Sequence, residues 1–179
     1  MKNESRRILY LAAGRSVSAN DPGRKIDAIL KCWREERHSI RGVFGKDNGG
    51  SGIGLIDLTS SKPDHFEYYN KWYRTSPIAR PFIHTASEWR DLMHDRLITR
   101  YTSDVVREFK PDIVWERSYR LISPGLNIAR IIKRPYVLEW KDHLVNYNLS
   151  LFRGRALKLE ERKKFEADYI VVESMVVEA

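Results

Sequence analysis

The chain has 179 residues, the size of one domain with a full hydrophobic core, and its 42% apolar content excludes the disordered class of proteins. Its single cysteine, Cys32, excludes an intramolecular disulfide and a cysteine-rich metal site. The 32 Lys and Arg residues exceed the 24 Asp and Glu residues, giving a formal charge of +8. This excess indicates either phosphate-bearing partners (nucleotides, lipid headgroups or nucleic acid) or a solvated basic surface.

Signals for membrane insertion and export are missing from the sequence. No apolar run approaches the roughly 18 residues of a membrane-spanning helix. The apolar stretch Ile8–Ala13, which follows a charged start, is too short for the core of a signal peptide. We therefore expect a cytoplasmic protein.

The first half of the chain begins with a βαβ pattern. Short apolar runs predict buried strands, and apolar residues spaced by three and four predict a helix with one buried stripe. A polar loop from Gly14 to Gly23 separates the first strand from this helix. The predicted elements are a strand over Arg7–Ala13, a helix over Lys25–Glu36, a strand over Ser39–Phe44 and a short edge strand over Ile53–Leu58.

The second half alternates more regularly. The region Asp64–Phe109 is mainly helical in pattern, and Pro77 and Pro81 predict an interruption that divides it into two helices. The later elements are a strand over Ile113–Arg117, a helix opening at Pro124, a strand over Tyr136–Trp140, a helix over Lys158–Ala167 and a strand over Asp168–Val172. Strands separated by helices pair in parallel, so residues 1–179 are predicted to form a single Rossmann-like α/β domain.

Three segments together resemble the first domain of a known enzyme family. They are Lys-Pro-Asp-Ile-Val-Trp-Glu-Arg at Lys110–Arg117, Arg-Pro-Tyr-Val-Leu-Glu-Trp at Arg134–Trp140, and Ala-Asp-Tyr-Ile-Val-Val-Glu-Ser at Ala167–Ser174. Their order and spacing are similar to the N-terminal, acceptor-side domain of GT-B fold, family 4-like retaining glycosyltransferases. The first strand and the loop Ile8–Arg24 also lie where that family places them.

The resemblance implies a function and a domain organisation. In these enzymes two Rossmann-like domains face a cleft, and the C-terminal domain binds the nucleotide-sugar donor. The resemblance implies that this chain corresponds to the first domain and lacks the second. The chain would bind the acceptor, a carbohydrate or a lipid-linked molecule, and would be inactive alone. The complete enzyme would be a retaining, metal-independent transferase without a cofactor. Two alternatives stay open: a standalone carbohydrate- or partner-binding module, and a small nucleotide-binding α/β protein.

The loop after the first strand is the first candidate site. Ligands of parallel α/β sheets bind beyond the carboxyl ends of the strands, and a glycine before a helix start lets backbone N–H groups approach a phosphate. The resemblance places this loop near the donor phosphates. The alternative is a plain turn before a helix. The candidate phosphate-binding residues are Gly14, Arg15, Ser18, Gly23 and Arg24.

Two further segments follow later strands. Glu116, Arg117, Ser118 and Tyr119 are candidates for binding sugar hydroxyls or an anionic acceptor; the alternative is an ion pair that fixes the loop. Aromatic rings stack on sugars, carboxylates accept hydroxyl hydrogen bonds and histidine transfers protons. The short segment Glu139–His143 contains all of these residue types. The alternative is that it is a plain surface loop. Its candidates are Glu139, Trp140 and Lys141 for the acceptor, and Asp142 and His143 for catalysis.

Other features favour weaker interpretations. The glycine-rich stretch Gly49–Gly54 lacks the Lys-Ser/Thr of a phosphate-binding P-loop, and the scattered histidines form no metal-binding pair. The basic helical segment Arg153–Lys164 is either a solvated face or a peripheral contact with the inner membrane surface. No nucleic-acid recognition motif accompanies the positive charge.

Overall fold

A computed structural model describes residues 4–12, 21–45, 53–57, 79–140 and 151–172. These residues form strands and helices in an alternating order. The strands are β1 (Arg7–Ala12), β2 (Ser39–Gly45), β3 (Ile53–Asp57), β4 (Ile113–Arg117), β5 (Tyr136–Trp140) and β6 (Tyr169–Val172). The helices are α1 (Asp21–Glu35), α2 (Ala79–Phe109), α3 (Pro124–Ile132) and α4 (Arg153–Glu166).

The six strands form one sheet in the order β3-β2-β1-β4-β5-β6. Strands β2, β1, β4, β5 and β6 are parallel, so the predicted Rossmann-like α/β fold is confirmed. Strand β3 occupies the predicted edge position and pairs with β2 in the antiparallel direction. The seven residues between β2 and β3 are too few for the helical crossover that a parallel pair requires.

The sheet lies between two helical layers because its strands bury both faces. Along β1, Tyr10 and Ala12 pack with Ile26 and Leu30 of α1 on one face. Leu9 and Leu11 point to the other face, as the alternation of strand side chains requires. There they join the main core with residues of β4, β5, α2 and α3.

Helix α2 corrects one sequence prediction. It runs without a break from Ala79 to Phe109, although an interruption was predicted at Pro81. Pro81 is the third residue of the helix, where its missing N–H has no intrahelical partner to lose. The predicted break at Pro77 and the aromatic helix before it lie outside the described residues.

Two other helices begin earlier than predicted. Helix α1 starts at Asp21 instead of Lys25, because Asp21-Pro22-Gly23 forms its first turn and not the end of the preceding loop. Proline is tolerated at this position for the same reason as in α2. Helix α4 starts at Arg153 instead of Lys158, and its first turn precedes the first buried residue, Ala156.

The length of α2 places its first turns outside the sheet. At about 1.5 Å per residue its 31 residues extend about 46 Å, whereas a five-residue strand extends roughly 17 Å. Helix α2 ends just before β4 begins, at the amino edge of the sheet. Its N-terminal half therefore projects beyond the carboxyl edge, on the side where ligands bind α/β sheets.

Candidate functional site

The candidate site lies at the carboxyl edge of the sheet, where the strand order reverses. From β1 the chain crosses to β2 on one side, whereas β4, β5 and β6 follow on the other side. Such a reversal opens a crevice between the two central strands, here β1 and β4. Of the predicted acceptor-binding residues, Glu116, Arg117, Ser118 and Tyr119 follow or end β4, and Glu139 and Trp140 end β5.

Glu116 and Arg117 are neighbours in sequence but lie on opposite faces of the sheet, since side chains alternate along a strand. Both are buried. The residues paired with them in β5 follow the same alternation: Arg117 is opposite Glu139, and Glu116 is opposite Leu138. The predicted site therefore divides into two polar clusters that share an edge but not a surface.

The Glu139 cluster, formed by Tyr10, Trp115, Arg117 and Glu139, lies on the α1 face. The Glu139 carboxylate accepts hydrogen bonds from Tyr10 Oη at 3.1 Å and Trp115 Nε1 at 3.2 Å, and it contacts Arg117 Nη1 directly. The Arg117 and Glu139 side chains are each 2% exposed. Burial raises the pKa of Tyr10, and the Glu139 charge raises it further, so this phenol stays protonated as a donor.

The Glu116 cluster, formed by Glu116, Tyr136, Asp95 and Lys163, lies on the opposite face. Glu116 Oε2 accepts hydrogen bonds from Tyr136 Oη at 2.7 Å and from the Leu126 backbone N–H at 3.2 Å. Leu126 is in the first turn of α3, whose positive N-terminus favours a nearby carboxylate. Burial nevertheless raises the pKa of Glu116, since Lys163 and these hydrogen bonds oppose it only in part.

Lys163 connects the Glu116 cluster to the loop after β4. Its side chain is buried, and Nζ donates a hydrogen bond to the Tyr119 carbonyl oxygen at 2.7 Å. Burial lowers the Lys163 pKa, while the charges of Glu116, Asp95 and Glu160 favour the protonated form. The ammonium group is thus held inside the domain by a carbonyl and by surrounding carboxylates.

The loop over residues 118–123 is fixed from several elements. The Ser118 N–H donates to the Glu139 carbonyl at 2.8 Å, and the Ser123 N–H donates to Asp95 Oδ1 at 2.8 Å. Within the loop, Leu121 packs on Ala156 of α4. The Ser118 hydroxyl is buried and has no hydrogen-bond partner among the described residues. A rigid loop with one unsatisfied hydroxyl follows the central strand at the crevice.

Trp140 was predicted to stack on a sugar ring, and in the structure its ring already contacts two side chains of α4. Nε1 donates to Glu160 Oε1 at 2.8 Å, and Lys164 Nζ lies 3.4 Å from the ring centroid. This cation–π contact joins the end of β5 to α4. Trp140 is buried, and its described contacts are those of a packing residue.

Other predicted site residues fall partly or wholly outside the described part of the chain. Gly23 and Arg24 belong to the first turn of α1, whose backbone is described. The remaining predicted residues lie outside the described ranges: Gly14, Arg15, Ser18, Lys141, Asp142 and His143. Within those ranges, no group of three or more His, Cys, Asp or Glu side chains could hold a metal ion.

Sequence reasoning missed the residues that complete both clusters: Tyr10, Asp95, Trp115, Tyr136 and Lys163. A signal for Lys163 was present, because Ala156, Glu160 and Lys163 are spaced by four and three and therefore share one helix face. The spacing identifies the shared face, but the docking of α4 is what buries the lysine on it. The other four are paired with the site by strand register or helix packing, which sequence spacing does not reveal.

No protein-family model, curated protein or solved structure matches the chain. Among the described residues, no helix is long and apolar enough to cross a membrane.

Proposed function

We propose that this chain is the acceptor-side domain of a GT-B glycosyltransferase, which transfers a sugar from a nucleotide sugar when a donor-binding domain completes the cleft. The proposal is supported by the positions of the three segments that resemble the family. Their described parts form β4, β5 and β6, three adjacent parallel strands whose carboxyl ends meet at one edge.

The observation that carries the proposal is the concentration of polar side chains at the crevice. Four charged or hydroxyl-bearing residues, Glu116, Arg117, Ser118 and Glu139, occupy the last positions of β4 and β5 or follow them directly. Three of the four are buried charged residues, which are costly to fold unless they are paired. Their hydrogen bonds and ion pair fix the strand ends from both faces of the sheet, and these ends would support a ligand at the edge.

In this proposal the described residues position the acceptor rather than react with it. The Glu139 cluster fixes the end of β4 from one face, and Lys163 fixes the Tyr119 carbonyl from the other. The exposed side of the loop over residues 118–120 then presents the acceptor to the cleft. Asp142 and His143, after β5, remain the proposed residues for moving the proton of the acceptor hydroxyl. The enzyme would act in the cytoplasm.

Calorimetric titration of the chain with nucleotide sugars and free nucleotides separates this proposal from a self-contained nucleotide-binding protein. The acceptor-side domain should bind each nucleotide no more tightly than roughly millimolar, or about 4 kcal/mol, because the donor site belongs to another domain. Tight and selective nucleotide binding by this chain alone would refute the proposal.

The complementary titration uses oligosaccharides and soluble glycolipid headgroups as acceptor probes. We expect at least one probe to bind, and we expect the variant Ser118→Val, which changes the buried side of the loop and so shifts its exposed side, to weaken that binding. The exposed serine Ser5, at the amino edge of β1, provides a matched control as Ser5→Val. Equal effects of the two variants would place the acceptor elsewhere.

A further inference from the structure

An exposed surface that is both apolar and basic lies where α2 meets the start of α4. We call it the α2–α4 surface. Its apolar members are largely exposed to solvent: Trp89 by 61%, Met93 by 58% and Leu151 by 77%. Its basic members, Arg96, Arg153 and Arg155, are also exposed. Large apolar side chains that cluster on a protein surface commonly mark a site of interaction.

The helical geometry places these residues together. Trp89, Met93 and Arg96 are spaced by four and three residues, so they form one outward stripe on α2. The Trp89 ring lies 6.4 Å from the ring of Phe152, the residue that precedes α4. Leu151 and Arg153 flank Phe152 in sequence. The stripe on α2 therefore continues directly onto the first turn of α4.

The two arginines on different helices share one neighbourhood. Burial raises the pKa of Asp95, and the positive charges of Lys163, Arg155 and Arg96 all oppose that rise. Arg96 on α2 and Arg155 on α4 are therefore both close to Asp95. The Asp95 carboxylate is itself engaged by the Ser123 N–H at 2.8 Å. Arg96 and Arg155 thus place positive charge from both helices at this junction.

The surface has a rigid base. Directly beneath it, Leu121 and Ala156 form a buried cluster, and Leu92 and Phe152 pack against that cluster. Leu92 lies between the exposed Trp89 and Met93 in sequence but points inward. The exposed side chains are therefore presented on an ordered support.

We propose that the α2–α4 surface docks the protein on an anionic phospholipid membrane. Trp89, Met93 and Leu151 enter the boundary between headgroups and acyl chains, where amphipathic and aliphatic side chains are stabilised. Arg96, Arg153 and Arg155 contact the lipid phosphates. This inference goes beyond the proposed function and does not depend on it, because lipid binding requires neither an acceptor nor a donor.

Lipid fits this surface better than nucleic acid does. Single-stranded nucleic acids bind grooves in which bases stack on aromatic rings. Here the exposed apolar side chains include aliphatic Met93 and Leu151 on the outside of two helices, and neither gives a base a flat stacking partner. The surface also lies beside the N-terminal half of α2, which projects past the carboxyl edge. Docking would thus bring the candidate site close to the lipid.

The test is co-sedimentation of the chain with vesicles of phosphatidylcholine, with and without phosphatidylglycerol. We expect binding only to the anionic vesicles and a loss of binding as salt is raised. Each arginine near an anionic surface contributes roughly fivefold in affinity. The variant R96Q/R153Q/R155Q should therefore bind roughly 100-fold more weakly. The control R107Q/K133Q/R134Q removes the same charge at the amino edge of the sheet and should have little effect.

A separate test addresses the apolar side chains of the α2–α4 surface. The variant W89S/M93S should weaken vesicle binding, whereas Phe165→Ser, which changes a side chain 92% exposed on another part of α4, should not. In the unsubstituted chain, anionic vesicles should shift tryptophan emission to shorter wavelength, and Trp89→Phe should remove most of that shift. Thermal unfolding of each variant verifies that it is folded, which the exposure of Trp89 and Met93 leads us to expect.

Three results would overturn the proposal. The first is failure of the unsubstituted chain to bind anionic vesicles at low salt. The second is equal weakening by the two arginine triple variants, which would indicate diffuse charge attraction. The third is binding to a single-stranded oligonucleotide that exceeds vesicle binding and depends on the same three arginines, which would assign the surface to nucleic acid.

Discussion

At the scale of single residues, the buried ion pair Arg117–Glu139 is the main charged contact of the Glu139 cluster. Removing two charges from water costs several kcal/mol per ion, and their attraction offsets this only with good geometry and further hydrogen bonds. Glu139 has those bonds from Tyr10 and Trp115. The pair is therefore better understood as fixing one arrangement of β4 and β5 than as a large net source of stability.

The variant Glu139→Gln tests this view. The amide keeps an oxygen for Tyr10 and Trp115 but leaves the buried Arg117 charge without its counterion, so we expect a loss of about 3–5 kcal/mol in the free energy of unfolding. Urea unfolding measures it. The double variant R117M/E139Q also removes the Arg117 charge and should recover most of the lost free energy of unfolding. A loss below about 1 kcal/mol for Glu139→Gln alone would mean that Arg117 has adequate other partners.

The Glu116 cluster predicts a pH dependence of stability. Burial raises the pKa of Glu116 and of Asp95 in the folded state, so the folded protein binds protons more tightly than the unfolded chain. Their contribution to stability is complete below the ordinary carboxyl pKa of about 4. It is lost as pH rises through the raised folded values.

The variant Glu116→Gln isolates this contribution, because the amide cannot ionise. Asp112 and Glu166 have lowered pKa values, caused first by hydrogen bonds from Arg7 and Arg162 respectively, and act in the opposite direction. They are present in both proteins and cancel in the comparison. We expect urea unfolding to show the unsubstituted chain losing stability relative to Glu116→Gln as pH rises from acid to neutral. A difference that does not change with pH would contradict the raised pKa of Glu116.

At the scale of the elements, the start of α3 packs against β4 without room for a side chain. A Cβ at Gly125 would lie 2.8 Å from both Cβ and Oε2 of Glu116. The close approach allows the Leu126 N–H to reach the carboxylate one residue later. Glycine at position 125 is therefore required for the observed contact between α3 and Glu116.

Two alanine substitutions provide a matched comparison. Gly125→Ala should destabilise the fold by about 1–3 kcal/mol, the usual cost of overpacking a core. Gly154→Ala, near the start of α4, has nothing within 4 Å of the added Cβ and should be neutral or stabilising by up to about 1 kcal/mol. Thermal or urea unfolding distinguishes them. Equal effects would show that the β4–α3 contact relaxes easily.

Sequence patterns predicted the strands better than the helix starts. Strands β4 and β5 have their predicted bounds because Pro111 and Pro135 precede continuous apolar runs. Helices α1 and α4 begin earlier than predicted, and the break predicted at Pro81 is absent. Pro22 and Pro81 both lie within first turns, where proline is tolerated. A proline alone does not reveal whether it ends a helix or stands in its first turn, and the packing of each first turn decides that.

The positions of the candidate residues at one edge of the sheet were predictable, but their pairings were not. Parallel strands separated by helices place Glu116, Arg117 and Glu139 at one edge. Strand alternation alone already implies that Glu116 and Arg117 face opposite sides. The pairing of Arg117 with Glu139 requires the register of β4 on β5, and the burial of Lys163 requires the docking of α4. Neither follows from local sequence.

At the scale of the whole molecule, two polar clusters on opposite faces of one sheet converge on its carboxyl edge. One is enclosed on the α1 side and the other among α2, α3 and α4. Next to them lies the loop over residues 118–123, held by the β5 backbone, Asp95 and Lys163. The proposed acceptor-binding role rests on this loop.

The most direct test of this account is to map acceptor binding by backbone amide chemical shifts while oligosaccharides and glycolipid headgroups are titrated into the isotopically labelled chain. We expect a bound acceptor to shift the amides of Ser118, Tyr119 and Arg120 and to leave those at the amino edge, such as Arg7 and Asp112, unchanged. Shifts confined to the amino edge, or none across the panel, would contradict the assignment of the carboxyl edge as an acceptor site.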